Sequence, residues 1–563
     1  VNRFVNEVAL TRQSCDSFDD FIFTKLKEII SELHPISCTY FGPDVTREIG
    51  IRMTGGTVKP PVMLENDGTS RPCYPSECRI RHLTYGAPLY IDVEVSRKGK
   101  EDTILKDVYL GRIPVMVFSS LCYLRDKKNR LKHNECPNDP GGYFIVNGNE
   151  KSLVGQKSSM KNRMISYAKA NTCAVAVKSE TKRRVYITTI SYKPNAPIMC
   201  TFPRLQNEVP LMDILLALGL KVNEIKSVFD SSELALLDAS FKNLPATQQE
   251  AKDRLPIREV YNVGSSEDER LQNAFENVML PHVDMDKKGL FFLTMIKELM
   301  AVANKVIPPT DRDAVNNQRV ETACELLSTL FHHLMIKLSN DIKLLCQKSL
   351  GKLKRGITDE KIRKWFSSIT SITDGFQYAL ATGNWNTTFV NRTQRVGVAQ
   401  ALQRLTLIST ISQLRRISSA IDSTQKLAKP RYLHGTHWGR YCPFETPEGQ
   451  PCGLETQLSV QALVSLDTNP LVIEKVIRQY LLPIDVKHLK VGNKVYVNGK
   501  YMGNTKDIKK LLATVRKLRR TGQCAKDISV SCNNRKICHI SSTSGRLCRP
   551  LLIVKNNKIL YKE

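Results

Sequence analysis

Between Lys426 and Glu455 the chain reads KLAKPRYLHGTHWGRYCPFETPEGQPCGLE. Four fixed cations, Lys426, Lys429, Arg431 and Arg440, with any charged fraction of His434 or His437, precede two carboxylates, Glu445 and Glu448. Just upstream, Arg415 and Arg416 close the run SerThrIleSerGlnLeuArgArg, and no acid follows in sequence before Asp422. Guanidiniums with no carboxylate beside them suit the forked recognition of phosphate. Pro443, Pro447 and Pro451 each fix φ and delete a backbone donor. Gly435, Gly439, Gly449 and Gly453 permit positive φ or close approach of another backbone. The segment is therefore a stiffened loop dense in charge, the kind of place where function collects. Charge of this density suits electrostatic work, and Trp438, between His437 and Gly439 in a stiff loop, reads as a packing plug.

Other reactive residue types give less. His332 and His333 are adjacent on a helical pattern, so their rings point about 100° apart, and no third ligand is in register. None of the 16 cysteines forms a CxxC pair, and the last four, Cys524, Cys532, Cys538 and Cys548, are spaced too irregularly for a zinc ribbon. They read as reduced, mostly buried thiols. No DxDxD-type carboxylate cluster is present.

The elements that must position this chemistry alternate between helix and strand. Residues 17–33 place Phe18, Phe21, Ile22, Leu26, Ile29, Ile30 and Leu33 on one helical face. Residues 88–95 alternate as a strand, and 107–116 form another that Pro114 confines to an edge or bulge. A Pro-Gly-Gly turn feeds a strand over 143–146, followed by an Asn-Gly-Asn turn. Residues 171–202 predict an antiparallel pair, with helix from Pro210 and a polar surface insertion over 245–271. Long helical patterns follow at 287–305 and 318–350, and 395–406 reads as an amphipathic helix leading into the charged loop. Residues 494–503 form a hairpin around Asn-Gly. Residues 505–520 form a basic amphipathic helix that is either a solvated face or a nucleic-acid or subunit contact.

A chain of 563 residues is too long for one core and predicts three or four domains. Lysine plus arginine outnumber aspartate plus glutamate by 83 to 55, giving +28 and a pI near 9.5, which favours a polyanionic partner over a membrane. No apolar run reaches the roughly 18 residues of a membrane span, since the longest, Leu211 to Leu220, is broken by Asp213. The opening VNRFVNEV lacks an initiator Met and a signal-peptide core, so residue 1 is not expected to be a natural start.

ThrHisTrpGly at 436–439, CysPro, GluThrProGluGlyGln at 445–450 and CysGlyLeu at 452–454, in register, resemble the fork region of the second-largest (β-like) subunit of multisubunit DNA-directed RNA polymerases, in its eukaryotic, archaeal and large-DNA-virus form. TyrGlyAlaProLeuTyrIleAspVal at 85–93, GlyArgIleProValMet at 111–116 and GlyGlyTyrPheIleValAsnGly from 141 fit the same family in order. The resemblance runs from about residue 20 nearly to the end and corresponds to the N-terminal half of such a subunit, either truncated or naturally split. It implies a mixed α+β, multidomain chain: protrusion over 1–156 and 327–384, inserted lobe 157–326, fork 385–465 and an incomplete external domain 466–563. It implies one side of a DNA cleft, with Arg395, Gln413, Arg415, Arg416, Lys426, Lys429 and Arg431 at nucleic acid. His437, Trp438, Glu445, Pro447, Glu448, Gly449 and Gln450 would shape the fork, the two glutamates bracing it.

By the same resemblance no cofactor binds this chain. Magnesium and the catalytic aspartates sit on the largest subunit, which with the remaining half-subunit, other subunits, template DNA and nascent RNA makes up the partners, inside the cell. Where the family carries a glycine-bearing loop with its own arginine, residues 417–425 have neither. A stand-alone nucleic-acid-binding module and an inactive structural paralogue are the alternatives.

Overall fold

The computed structural model describes residues 10–559 apart from 42–45, 66, 98–99, 182–183, 259–266, 353–356, 386–394 and 533–536. The chain divides into two compact units, each assembled from separated stretches.

The first unit comprises 1–158, 319–464 and 547–563. Its centre is an antiparallel sheet in the order Ile36–Phe41, Thr46–Val58, Gly86–Arg97, Lys100–Pro114. Leu89, Ile91, Val93 and Val95 alternate inward along the third strand, as their spacing requires. Pro114 closes the edge strand, where a missing amide costs least. The helix Ala323–Lys352 lays its apolar stripe, Leu327, Phe331, Leu334, Leu338 and Ile342, over this core. Phe331 stacks on Phe376 at 6.2 Å, and Phe21 meets both edge-on. The expected N-terminal helix spans Arg12–Asp20 and Leu26–Ser31, joined by a wider π turn at Phe21–Lys25.

Two small sheets carry the charged loop. Ala399–Ala401, Asn149–Leu153 and Phe144–Val146 form one. In the other, Arg416–Ser419 pairs in parallel with Gly155–Ser159 and antiparallel with Thr456–Gln457. Helix was expected over 395–406, and the structure corrects this. Ala399 pairs with Leu153, Gly397 takes φ +75°, and helix begins only at Leu407–Leu414, after the N-cap Thr406. Sheet hydrogen bonds to a partner some 250 positions away outweigh a local apolar period. Likewise the helical pattern of 318–350 opens as a strand, Gln318–Glu321.

The second unit comprises 159–318 and 465–546. Met164–Lys169, Thr172–Glu180, Val185–Tyr192, Met199–Thr201 and Val209–Pro210 form an antiparallel sheet, with Val175 opposite Ile190. The helix Lys288–Ala303 packs on it through Phe291, Phe292, Met295 and Ile296. The polar stretch 245–271 contains the helices Gln248–Asp253 and the start of Glu267–Asn277, with Ala251, Leu255 and Leu271 buried, so it is more than a surface loop. In a second sheet Asn493–Val497 turns through Asn498 and Gly499, both at positive φ, into Lys500–Thr505, and runs parallel to Ile537–Ser541. The helix Ile508–Arg520 lies in the crossover between those parallel strands.

Trp385 is 1% exposed and its indole N–H donates to the Leu326 carbonyl at 2.9 Å. Trp385→Ala removes both the packing and that bond, and chemical denaturation should register a loss of about 3–5 kcal/mol.

Candidate nucleic-acid interface

The helix Leu407–Leu414 starts where Thr406 accepts a hydrogen bond from the Ser409 amide at 3.0 Å, and it delivers two arginines to opposite fates. Arg415 is 7% exposed and turned inward. Its guanidinium donates to the carbonyls of Leu10 and Ser459, each at 2.6 Å. Burial lowers it to about 10, and it stays protonated at neutral pH. Arg416 begins the next strand, and its Nη1 lies 3.6 Å from Glu455. The acid missing from the local sequence is thus supplied from 39 residues on. Expected at phosphates, Arg415 instead fastens the loop to the body of its unit, whereas Arg416 keeps a part-exposed side chain with a long, weak ion pair.

The remaining expected contacts separate the same way. Gln413 is buried, donating to the Ala401 carbonyl and accepting from the Gln403 amide, both at 2.7 Å. Arg395 pairs with Glu321. Arg431 donates to the carbonyls of Leu427 at 3.2 Å, Cys452 at 3.0 Å, Ser423 at 2.9 Å and Gln425 at 3.0 Å, and also to that of Gln450. It is the hub of the loop. Lys426 and Lys429 are exposed and form no ion pair with a described residue. They are the cations the loop presents.

Residues 432–454 curl over this hub and stay largely exposed. His434 caps the short turn Gly435–His437, accepting from the Thr436 amide at 3.1 Å. Arg440 reaches the carbonyls of Leu547 and Thr436 at 3.1 and 3.2 Å. Thr446 bridges the loop's two limbs, accepting from the Gly453 amide at 2.9 Å and donating to the Glu455 carbonyl at 3.0 Å. Gly453 has φ +74°, and a Cβ there would collide with the backbone of Arg431. Glu445 accepts from the Ser412 hydroxyl, tying the loop to the helix Leu407–Leu414. Pro447, Glu448, Gly449 and Gln450 form the outer bend, and Glu448 has no partner among the described residues.

The packing-plug reading of Trp438 is overturned. Its side chain is 77% exposed, and Phe444 is 90% exposed; Tyr432 and Leu433 also project outward. The buried ring is His437, edge-on to Tyr441 at 5.0 Å, because the turn capped by His434 rotates one neighbour in and the other out.

Sequence reasoning also missed a polar cluster flanking this region. Arg404 bonds Glu150 at 2.7 Å and Asp139 at 2.9 Å, while Arg79 bonds the same Glu150 at 2.7 Å and the Tyr143 hydroxyl at 2.7 Å. The partners lie up to 265 positions apart, so no local spacing signals them. Among the described residues, no three His, Cys, Asp or Glu side chains are grouped to hold a metal ion, and no helix is long and apolar enough to cross a membrane.

Comparison with known proteins is specific. A model of the RNA polymerase beta subunit matches residues 9–371, and models of RNA polymerase Rpb2 domains 3 and 4 match 400–464 and 495–555. The chain belongs to the family of second-largest, β-like subunits of DNA-directed RNA polymerases. It is 34% identical to the RNA polymerase II subunit RPB2 of Encephalitozoon cuniculi, over all of this chain and 52% of that protein. It is 33% identical to the RNA polymerase III subunit RPC2 of Saccharomyces cerevisiae, over 100% and 50%. It is 30% identical to the RNA polymerase subunit Rpo2 of Sulfolobus acidocaldarius, over 98% and 50%. The chain spans about half the length of the curated relatives it matches.

Two measurements check the division of labour. Arg415→Met leaves buried carbonyls without donors and should cost about 2–4 kcal/mol of stability, whereas Arg416→Ala should stay within about 1 kcal/mol, both read by thermal denaturation. The second is pH. Burial, with Lys157 and His434 adding positive charge, holds the His437 imidazole down at about 4. The unfolded chain takes up that proton near 6.5 and the folded chain does not, so stability is complete above pH 6.5 and falls as pH drops towards 4, by at most about 1.4 kcal/mol per unit. His437→Gln should flatten that portion of the acid limb of the stability–pH curve.

Proposed function

We propose that this chain is the N-terminal portion of the second-largest subunit of a working DNA-dependent RNA polymerase, lining one side of the DNA cleft and positioning template and RNA–DNA hybrid. The observation that carries the reading is the join of family similarity along the whole of this chain with a carbonyl-braced loop that leaves Lys426 and Lys429 facing solvent. In this reading residues 1–156 and 327–384 are the protrusion, 157–326 the lobe, 385–465 the fork and 466–563 part of an external domain. The largest subunit, the rest of this subunit and other polymerase subunits complete the assembly inside the cell.

The role is electrostatic. Phosphoryl transfer clamps the attacking and leaving oxygens between two metal ions, and in this proposal those ions are held by aspartates of the largest subunit. This chain holds phosphates in register. Lys426 and Lys429 neutralise backbone charge, and Arg416, released from its 3.6 Å contact with Glu455, adds a third cation. Glu445 braces the loop from behind through Ser412 instead of facing DNA, where a carboxylate would repel phosphate. A preset loop keeps its cations close without ordering them anew at each nucleotide addition.

The test is reconstitution with the largest subunit and the remaining half, with transcript extension and DNA affinity measured across a salt series. Lys426→Ala combined with Lys429→Ala should slow extension and flatten the log affinity against log salt slope by about 1.8, that is 0.9 for each lost phosphate contact, with melting unchanged. Full extension without this chain would instead identify an accessory paralogue.

A further inference from the structure

The helix Ile508–Arg520 has two unlike sides. One is buried: Leu511 and Val515 pack against Ile473, Ile477, Val495 and Ile540. On the other, Lys509, Lys510, Arg516, Lys517 and Arg520 are all exposed. Lys509, Arg516 and Arg520 recur at i, i+7 and i+11, which at about 3.6 residues per turn is a single stripe, with Lys510 and Lys517 beside it. Lys506 and Lys526 flank the stripe and are exposed as well.

No acidic residue lies within this helix, and none of its exposed cations pairs with a described carboxylate. Some surface cations elsewhere find acids: Arg71 and Arg81 share Glu65 and Glu77, and Lys287 and Lys500 share Asp284. Helix stability accounts for only part of the stripe. Lys517 and Arg520 sit in the last turn, where the helix dipole favours cations, but Lys509 and Lys510 sit in the first turn, where it disfavours them, and Arg516 and Arg520, four apart, repel by about 0.2–0.5 kcal/mol. Asp507 caps that end, accepting from the Lys510 amide at 3.0 Å, and its charge does not balance five cations.

The face also indicates what it suits. Protein interfaces are anchored by buried aromatic and large apolar groups and are poor in lysine, and no large apolar side chain is exposed between Lys506 and Lys526. Single strands are held by stacking bases on aromatic rings, and none stands here. What fits is a dense line of phosphates whose bases are hidden. The stripe from Lys509 to Arg520 is about 16 Å long at 1.5 Å per residue, the axial rise of about five base pairs.

We propose that this helix is a second phosphate-binding surface, laid along the backbone of duplex nucleic acid without reading sequence. It begins 53 residues beyond Glu455, the end of the fork-like loop, and does not depend on the roles assigned to Lys426 and Lys429. The full chain, titrated with a random-sequence DNA duplex across a salt series, tests it. Lys509→Gln, Arg516→Gln and Arg520→Gln together should lower the log–log salt slope by about 2.7, while Lys509→Arg, Lys510→Arg and Lys517→Arg together preserve it.

Acetylation footprinting of the unmodified chain gives a reading that no folding defect can confound: duplex should shield Lys509, Lys510 and Lys517. Shielding of Lys426 and Lys429 alone overturns the proposal and leaves the fork reading intact. An unchanged salt slope in the glutamine variant overturns it too. So does a polyglutamate peptide that displaces duplex at equal charge, which would make the face a protein-docking surface.

Discussion

A loop rich in proline has more carbonyl acceptors than amide donors, and that imbalance governs how the charged segment is built. Each proline keeps its C=O and loses its N–H, and each sharp turn at a positive-φ glycine points further carbonyls away from any ladder. Arginine answers the deficit, because one planar guanidinium carries five donors and no acceptor. Arg431 gathers carbonyls from Ser423 to Cys452, Arg440 joins Thr436 to Leu547, and Arg415 joins Leu10 to Ser459. The loop keeps one shape without a core of its own because cations do the work of backbone amides.

That construction explains why residues of one charge serve two purposes. Lysine presents a single flexible ammonium, strongly hydrated and poorly suited to bridging several carbonyls in one plane. Lys426 and Lys429 accordingly remain at the surface, where their charge reaches outward. The arginines hold the frame and the lysines face solvent. Exposure of Trp438 and Phe444 on the same rigid frame follows, since a loop braced through its backbone does not require its large side chains for packing.

Much of this was legible in advance. The strand over Gly86–Arg97, the hairpin at Asn498–Gly499 and the helix Ile508–Arg520 follow from alternation, turn chemistry and helical period, all local quantities. Family membership was legible from ordered motifs, above all the run from Thr436 to Leu454. What local patterns do not carry is the partner. Residues 395–406 have a helical period, yet Ala399 is held by Leu153; Arg416 has no nearby acid in sequence, yet meets Glu455; Trp438 and His437 are neighbours, and only the cap at His434 decides which is buried. The network of Arg79, Glu150 and Arg404 was invisible for the same reason.

The interleaving of the two units bears on how the molecule comes into being. Leu463–Val464 finds its pairing partner only at Leu547–Cys548, and the unit formed by 159–318 also needs 465–546. A ribosome delivers residues in order, so both bodies stay unfinished until synthesis has reached residues 546 and 547. Unpaired strand edges and bare apolar faces are on display through most of translation, a period in which sticking to other nascent chains competes with completion. Such a chain is a natural client for chaperones that shield incomplete sheets, and its yield depends on the pace of elongation as well as on the stability of the finished product.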